Sequence, residues 1–169
     1  MRLRPYVNET DFEILKNWIS DERSHVLWCA NRFNYPLESA NVETELAFLA
    51  EKNDETPFAA VSDEGTMVGF FSYSPSSEMN TGYLKFVIVA PEERGKGTAG
   101  EMLDLAVQYA FETAKAESVQ LSVFTENPRA RRCYEKAGFQ EIKTDKDACA
   151  YQDDLWGRCR MRIDKSSRN

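Results

Sequence analysis

Residues 93–102 read ERGKGTAGEM, and three glycines in this stretch, Gly95, Gly97 and Gly100, follow the spacing G-x-G-x-x-G. The stretch lies between YLKFVIVA (83–90), an apolar segment with β-strand character, and a segment of helical period. Backbone N–H groups at the N-terminus of a helix bind anions, and small residues let the anion approach them. The stretch therefore predicts a phosphate-binding loop between a strand and a helix.

The segments around this loop predict a mixed sheet. VQLSVF (119–124) is a second apolar strand, and a strand–helix–strand crossover places its two strands in parallel. PFAAVS (57–62) and MVGFFSYS (67–74) predict a hairpin on one side, while FQEIKT (139–144) and LWGRCRMRI (155–163) predict closing strands on the other. We therefore predict an α/β fold, a three-layer α/β/α sandwich with a mixed, mostly antiparallel sheet and a central parallel strand pair.

The N-terminal part of the chain predicts two helices joined by an aromatic connector. Thr10 to Glu13 match a capping box, which predicts that the first helix begins there. The connector HVLWCANRFNYPLES (25–39) has no clear period, so we predict an irregular segment, and such connectors are often functional. A second helical pattern follows, with Val42, Leu46 and Leu49 in register.

Size and charge narrow the class of protein. A chain of 169 residues is long enough for a single domain, 1–169, with one sizeable core. The net charge of -7 argues against binding to nucleic acid or an anionic membrane and favours a cationic partner. The N-terminus lacks the apolar region of a signal peptide, and no segment has the ~18 apolar residues of a membrane span, so we expect a cytoplasmic protein.

A metal centre is not expected. The four cysteines, Cys29, Cys133, Cys149 and Cys159, form no C-x-x-C pair, and His25 is the only histidine. Structural zinc needs such clustered ligands. We therefore expect no metal and free, mostly packed thiols.

Two common phosphate loops fit the glycine-rich stretch poorly. An ATP-type loop requires Ser or Thr after its Gly-Lys pair, and Gly97 stands there instead. A dinucleotide fold is a closer match, because Glu126 stands where an acid for the ribose hydroxyls is expected. However, Pro91 to Arg94 separate the strand from the first glycine, and only 43 residues follow Glu126.

A third interpretation begins one residue earlier in the motif. The six residues 94–99 fit [QR]-x-x-G-x-[GA], and residues 127–139 match N-x-x-A-x-x-x-Y-x-K-x-G-F at Asn127, Ala130, Tyr134, Lys136, Gly138 and Phe139. With both motifs at strand-to-helix junctions, the sequence resembles the GNAT superfamily of acyl-CoA-dependent N-acyltransferases and implies their acyl-CoA N-acyltransferase fold. The opening residues 3–18 are loosely similar to ribosomal-protein N-terminal acetyltransferases.

The resemblance implies transfer of an acetyl group from acetyl-CoA to a primary amine. Tyr134 matches the family residue that protonates the departing thiolate. Asn127 matches a residue that bonds the pantetheine arm, although it also fits a helix N-cap. The implied CoA-binding residues are Val87, Ile88 and Val89 through their backbone N–H groups, Arg94, Gly95, Lys96, Gly97, Thr98, Ala99, Asn127, Arg132 and Tyr134. In this register Gly100 is expected to be a packing residue on the helix.

The second motif also contains three neighbouring arginines. Arg129, Arg131 and Arg132 are all placed to reach the phosphates of CoA. We expect at least one of them to belong to a solvated helix face instead.

The base that deprotonates the amine is not evident. Many family members use a glutamate on the fourth strand, but Tyr83 to Phe86 contain no acid. Asp21, Glu22, Glu78 and His25 are candidates from predicted loops, with His25 more simply an ordinary loop histidine. A chain of water molecules is an equal alternative.

The acceptor and the activity itself leave alternatives open. The missing strand acid is compatible with a catalytically silent module that binds and senses acyl-CoA. The acceptor is a small-molecule or peptide amine, and the connector residues Trp28, Phe33 and Tyr35 are expected to help form its pocket. A homodimer is implied only at the level of the family.

Overall fold

A computed structural model describes residues 1–76 and 79–168 of the chain. The helices are α1 Asn8–Asn17, α2 Glu22–Cys29, α3 Ser39–Asn53, α4 Thr98–Gln108 and α5 Pro128–Lys136. The strands are β1 Arg2–Pro5, β2 Thr56–Val61, β3 Met67–Ser76, β4 Thr81–Val89, β5 Ser118–Phe124, β6 Gln140–Tyr151 and β7 Asp154–Asp164. Single turns of other helix types occur at Pro91–Glu93, Tyr109–Thr113 and Lys165–Arg168.

The seven strands form one mixed sheet in the order β1-β2-β3-β4-β5-β7-β6. All neighbouring strands pair antiparallel except β4 and β5, which are parallel. The connection between β4 and β5 contains the glycine-rich loop and α4, as the sequence predicts. The predicted fold class is confirmed.

Side chains of the sheet alternate between two helical layers. On β2, Phe58 and Ala60 pack into a cluster with α4 and α5, whereas Ala59 packs into a second cluster with α1, α2 and α3. This alternation is the period of two that a strand imposes. The sheet is therefore covered on both faces, which gives the three predicted layers.

Strands β4 and β5 separate soon after they meet. Only three residue pairs join them, Thr81, Gly82 and Tyr83 with Ser118, Val119 and Gln120. From Leu84 onward β4 remains paired with β3 alone. The two strands therefore enclose an open slot between them.

A bulge in β4 lies at the start of this slot. Between the pairs of Ser72 with Lys85 and of Phe70 with Ile88, β4 contains one residue more than β3. Phe86 takes a positive φ of 53° there, a conformation that is uncommon for a bulky side chain. A bulge bends a strand and increases its local twist, so it turns β4 away from β5.

The N-terminal prediction is partly wrong. Helix α1 begins at Asn8, before the predicted capping box, and Val7 occupies the N-cap position. Asp11 instead accepts a hydrogen bond from the Val7 N–H (2.9 Å) and two from Arg4 (2.6 and 2.8 Å). The acid thus fixes β1 to the start of α1, a link that a local capping pattern does not reveal.

The connector is also more regular than its sequence indicates. Its first part belongs to α2, which begins after Asp21, whose carboxylate accepts from the Ser24 N–H (2.7 Å). His25 is therefore a helical residue and not a loop residue. Val26 and Cys29 are buried on one side of this helix. The helix is too short to show a clear hydrophobic period in the sequence, and its burial indicates that tertiary packing stabilises it.

We expect Asp11→Asn to destabilise the fold by about 1–3 kcal/mol, because the amide cannot accept both arginine hydrogen bonds at a site that is 1% exposed. Urea unfolding followed by circular dichroism measures this loss. Glu13→Gln, an exposed change on the same helix, should stay within about 0.5 kcal/mol. Equal losses in the two variants would contradict the role of Asp11.

Candidate active site

A cavity of about 990 Å³ occupies the slot between β4 and β5. Its walls come from α2, the second half of β4, the glycine-rich loop, the first turns of α4, the middle of β5 and α5. Both sequence motifs thus line one continuous space.

The glycine-rich loop forms one end of the cavity. Gly95 and Gly97 have positive φ values of 85° and 92°, and Gly97 is the N-cap of α4. A Cβ atom at either glycine would meet no protein atom within 4 Å, so small residues serve the backbone conformation and leave open space. Arg94 and Ala99 also line the cavity. With the helix N-terminus and a cation, this end suits an anion.

Lys96 and Thr98 have a different role from the other loop residues. The Lys96 ammonium lies 3.2 Å from one oxygen of Glu93, and the Thr98 hydroxyl donates to the other at 2.9 Å. Neither residue is part of the cavity lining, whereas Glu93 is. Their side chains therefore hold the Glu93 carboxylate inside the loop and limit its repulsion of an anion.

Gly100 does not pack against the protein, and this prediction is wrong. A Cβ atom there would meet nothing within 4 Å, and Gly100 lines the cavity. The residue lies in the first turn of α4 on the side toward the slot. Its lack of a side chain widens the anion end of the cavity.

The backbone of β4 runs along one side of the slot. The Ala90 N–H donates to the Val68 carbonyl on β3 (2.9 Å), and hydrogen bonding alternates along an antiparallel strand. The N–H of Ile88, two residues earlier in the same ladder, therefore also points to β3. The Val89 N–H therefore points the opposite way, toward the slot, and Val87 lies in the bulge, where it is not paired with β3. The roles of Val87, Ile88 and Val89 at the thioester stay predictions.

Tyr134 on α5 lines the same cavity and is 7% exposed. Loss of contact with water raises the pKa of its phenol, with a smaller contribution from Cys133. The hydroxyl therefore keeps its proton at neutral pH. A buried, protonated phenol in this position is able to donate a proton.

The remaining polar groups of α5 divide into two sets. The Asn127 side chain caps the helix by accepting from the Ala130 N–H (3.1 Å), and Asn127 also lines the cavity. Arg129 and Arg132 line the cavity as well. Arg131 instead lies within 3.1 Å of Glu135 and 2.7 Å of Glu141. It belongs to the solvated face that was expected for at least one of the three arginines.

None of the candidate bases that the structure describes lines the cavity. Asp21 and Glu22 are exposed at the start of α2, and neither is part of the cavity lining. His25 is fully buried, its Nε2 atom lies 3.3 Å from the Cys29 sulfur, and burial lowers the pKa of its imidazole. Glu78 lies outside the described residues. A chain of water molecules, the alternative given from the sequence, stays a prediction.

Helix α2 forms one wall of the cavity, and Trp28 is the one residue of this wall that the sequence predicted. The Trp28 indole donates to the Phe86 carbonyl at the bulge (2.8 Å), and its ring stacks on Phe33 at 5.3 Å. Trp28 lines the cavity together with Leu27, which was not predicted, while Tyr35 is exposed. The cap at Asp21 was the available signal for this helix.

No cluster of three or more His, Cys, Asp or Glu side chains suited to a metal occurs among the described residues. Within the same part of the chain, no helix is both long and apolar enough to cross a membrane.

Comparison with known proteins identifies one family. The sequence model of the acetyltransferase (GNAT) family matches residues 9–139. A spermidine N(1)-acetyltransferase of Vibrio cholerae is 30% identical over 113 residues, which are 64% of this chain and 64% of that protein. A spermine/spermidine N(1)-acetyltransferase of Bacillus subtilis is 31% identical over 83 residues, 46% of this chain and 55% of that protein. The matched parts are thus less than two thirds of the length of these two relatives.

Solved structures agree on the fold. The structure of a spermidine N-acetyltransferase from Vibrio cholerae in complex with CoA and spermine superposes with a TM-score of 0.81 at 23% identity, over 98% of this chain and 95% of that chain. The acyl-CoA N-acyltransferase fold is therefore confirmed. The looser likeness to ribosomal-protein acetyltransferases finds no support in these relatives.

His25 predicts a specific pH dependence of stability. Because burial lowers its folded-state pKa below the unfolded value of about 6.5, the unfolded chain binds the proton first. The free energy of unfolding should fall as pH drops from 6.5 toward 5, by at most ~1.4 kcal/mol per pH unit. Urea midpoints at several pH values measure the slope.

His25→Leu is the matched variant for this measurement, because the chain has no other histidine. The variant should lose the slope between pH 6.5 and 5, whatever its stability at pH 7. A slope that persists unchanged would show that His25 does not cause it.

Proposed function

The chain belongs to the acetyltransferase (GNAT) family, and on this premise we propose that it is an enzyme that transfers the acetyl group of acetyl-CoA to a primary amine. The observation that carries the proposal is the slot between β4 and β5. It brings the part of β4 that is not paired with β5, the buried Tyr134 and the N-terminus of α4 to one cavity, which supports this proposal. These are the groups that an acyl-CoA thioester requires.

Acetyl-CoA fits this cavity as an extended cosubstrate. Its pyrophosphate binds at the glycine-rich loop, where the α4 N-terminus and nearby cations favour negative charge. Its pantetheine arm lies along β4 in the place that β5 leaves. The residues proposed to hold it are Val87, Val89, Arg94, Gly95, Gly97, Ala99, Asn127, Arg132 and Tyr134, with Ile88 contributing apolar contact and Lys96 and Thr98 shaping the loop.

The reaction forms one bond and breaks one. The amine nitrogen attacks the thioester carbonyl carbon, and the carbonyl oxygen becomes an oxyanion that the Val87 and Val89 N–H groups stabilise. Such donors contribute about 10²-fold or more to the rate. The C–S bond then breaks, and the new amide retains the acetyl group.

Tyr134 completes the transfer by giving its proton to the departing thiolate. The reference pKa of a thiol, about 8.5, is below that of a phenol, about 10, and burial raises the pKa of the Tyr134 phenol further. Proton transfer to sulfur is therefore uphill, so it requires the hydroxyl within hydrogen-bond reach of the sulfur atom. The amine, which is protonated in solution, releases one proton to water in the open slot before it attacks. The second proton, which its nitrogen loses as the amide forms, passes back to the Tyr134 phenolate and restores the acid. A catalytically silent sensor has no use for a buried acid beside the thioester, so Tyr134 disfavours that alternative.

The identity of the amine is the finer part of the proposal. The named relatives act on spermidine and spermine, so polyamines belong in any panel of acceptors. The homodimer and the cytoplasmic location expected from the sequence stay predictions.

Tyr134→Phe should lower kcat by roughly 10²-fold or more while leaving the affinity for acetyl-CoA nearly intact, because only the proton donor is lost. Thiol release at saturating amine measures kcat, and calorimetry measures affinity. Tyr73→Phe is the matched control, since Tyr73 is also buried and its hydroxyl has no hydrogen-bond partner among the described residues, yet it is not part of the cavity lining. If kcat were unchanged in Tyr134→Phe, Tyr134 would not be the acid.

Gly97→Ala should weaken CoA binding by about tenfold or more, because a Cβ atom at a φ of 92° strains the loop that presents its N–H groups. Calorimetric titration with CoA measures the change. Gly65→Ala imposes the same kind of strain at a φ of 90° in the β2–β3 turn and should leave CoA binding unchanged. Equal loss of affinity in both variants would contradict a specific role for the loop.

A further inference from the structure

One side of the cavity is formed by Trp18, Ile19, Ser24, Leu27 and Trp28, here called the acceptor wall. These residues follow α1 or belong to α2, and they lie outside the motifs that are proposed to hold CoA. Four of the five side chains are apolar, and the fifth is a neutral hydroxyl. An acceptor amine that approaches the thioester from this side therefore meets a surface without charge.

The acceptor wall is held in place by aromatic packing. Trp28 stacks on Phe33 at 5.3 Å and meets the edges or faces of Phe70 and Phe86 at 6.2 and 6.1 Å. The hydrogen bond from its indole to the Phe86 carbonyl, 2.8 Å long, fixes it at the bulge. A wall anchored in this way keeps its apolar surface in the cavity.

The carboxylates that line the cavity belong to elements other than those of the acceptor wall. Among the described residues that line it, Glu93 and Asp104 are the two acids. Glu93 is bonded to Lys96 and Thr98, and Asp104 is paired with Arg168. Both belong to the glycine-rich loop or α4, which the proposed function assigns to CoA.

The charged residues near the acceptor wall do not add a carboxylate to its surface. The Asp21 carboxylate accepts from the Ser24 N–H (2.7 Å), so it caps α2 beside the wall, but neither Asp21 nor Glu22 is part of the lining and both are exposed. Lys85 on β4 does line the cavity, and its ammonium lies 2.6 Å from the buried Glu55 carboxylate. Arg23 on α2 lies 5.4 Å above the Trp156 ring. The charge of -7 that favours a cationic partner is therefore a property of the whole surface and not of this wall.

We infer that the acceptor is a primary amine carried on an apolar body, and not a polyamine. This inference rests on the proposed function, because it assumes that an amine is acetylated in this cavity. A polyamine would bring further ammonium groups against apolar side chains, and among the described residues no carboxylate lines this wall to pair with them; such burial is strongly unfavourable. An alkyl or aryl chain would instead cover the acceptor wall and gain from leaving water.

Two amines of matched length test the inference. Hexylamine and 1,5-diaminopentane have the same number of heavy atoms, but the second ends in an ammonium group where the first ends in a methyl group. Thiol release from acetyl-CoA should show a kcat/KM for hexylamine at least about tenfold higher. A preference for 1,5-diaminopentane, or for spermidine in the same assay, would overturn the inference and leave the proposed function standing. Failure of every amine, with no binding of CoA by calorimetry, would overturn both.

A charge placed on the wall gives an independent test. Ser24→Glu adds a carboxylate to the acceptor wall and should shift the ratio of kcat/KM values toward 1,5-diaminopentane by about tenfold. Ser24→Gln, of equal size and without charge, should leave the ratio within about twofold of the original. If both variants keep the original ratio, the amine does not bind along α2 and the inference is wrong.

Discussion

The separation of β4 from β5 after Tyr83 is the constraint on which the rest of the site depends. A backbone N–H that is buried without a partner destabilises a fold, and the separation leaves the Val87 and Val89 N–H groups without a neighbouring strand. The bulge at Phe86 turns β4 outward, and the Trp28 indole satisfies the carbonyl at that bulge. The protein thus keeps an open edge in the middle of its sheet, and the proposed function assigns this edge to the pantetheine arm of CoA.

The charges of the molecule are arranged around this slot unevenly. The chain is acidic overall, with a net charge of -7, yet Arg94, Arg129 and Arg132 line the cavity near the helix N-termini. Glu93, the nearby acid, is held by Lys96 and Thr98. One end of the cavity therefore suits phosphates, and the acceptor wall at the other side suits apolar groups. Under the proposed function, the thioester would lie between a polar and an apolar region.

The motifs were predictable from sequence because they depend on local chemistry. Gly97 needs a positive φ at a helix N-terminus, and Tyr134 has a fixed distance along the chain from Asn127. The bulge at Phe86 was not predictable, since nothing in an apolar strand marks the extra residue. Helix α2 was missed because its burial comes from contacts with distant strands, and Gly100 was misjudged because sequence does not show which side of α4 is empty.

Residue-resolved hydrogen exchange of the β4 amides, with and without CoA, tests the central claim most directly. Because the Val87 and Val89 N–H groups lack strand partners, CoA should slow their exchange by about tenfold or more. The Ile88 amide, which points to β3, should exchange slowly in both conditions. If saturating CoA left Val87 and Val89 unchanged, the cosubstrate would not lie along β4, and the account of the slot would be contradicted.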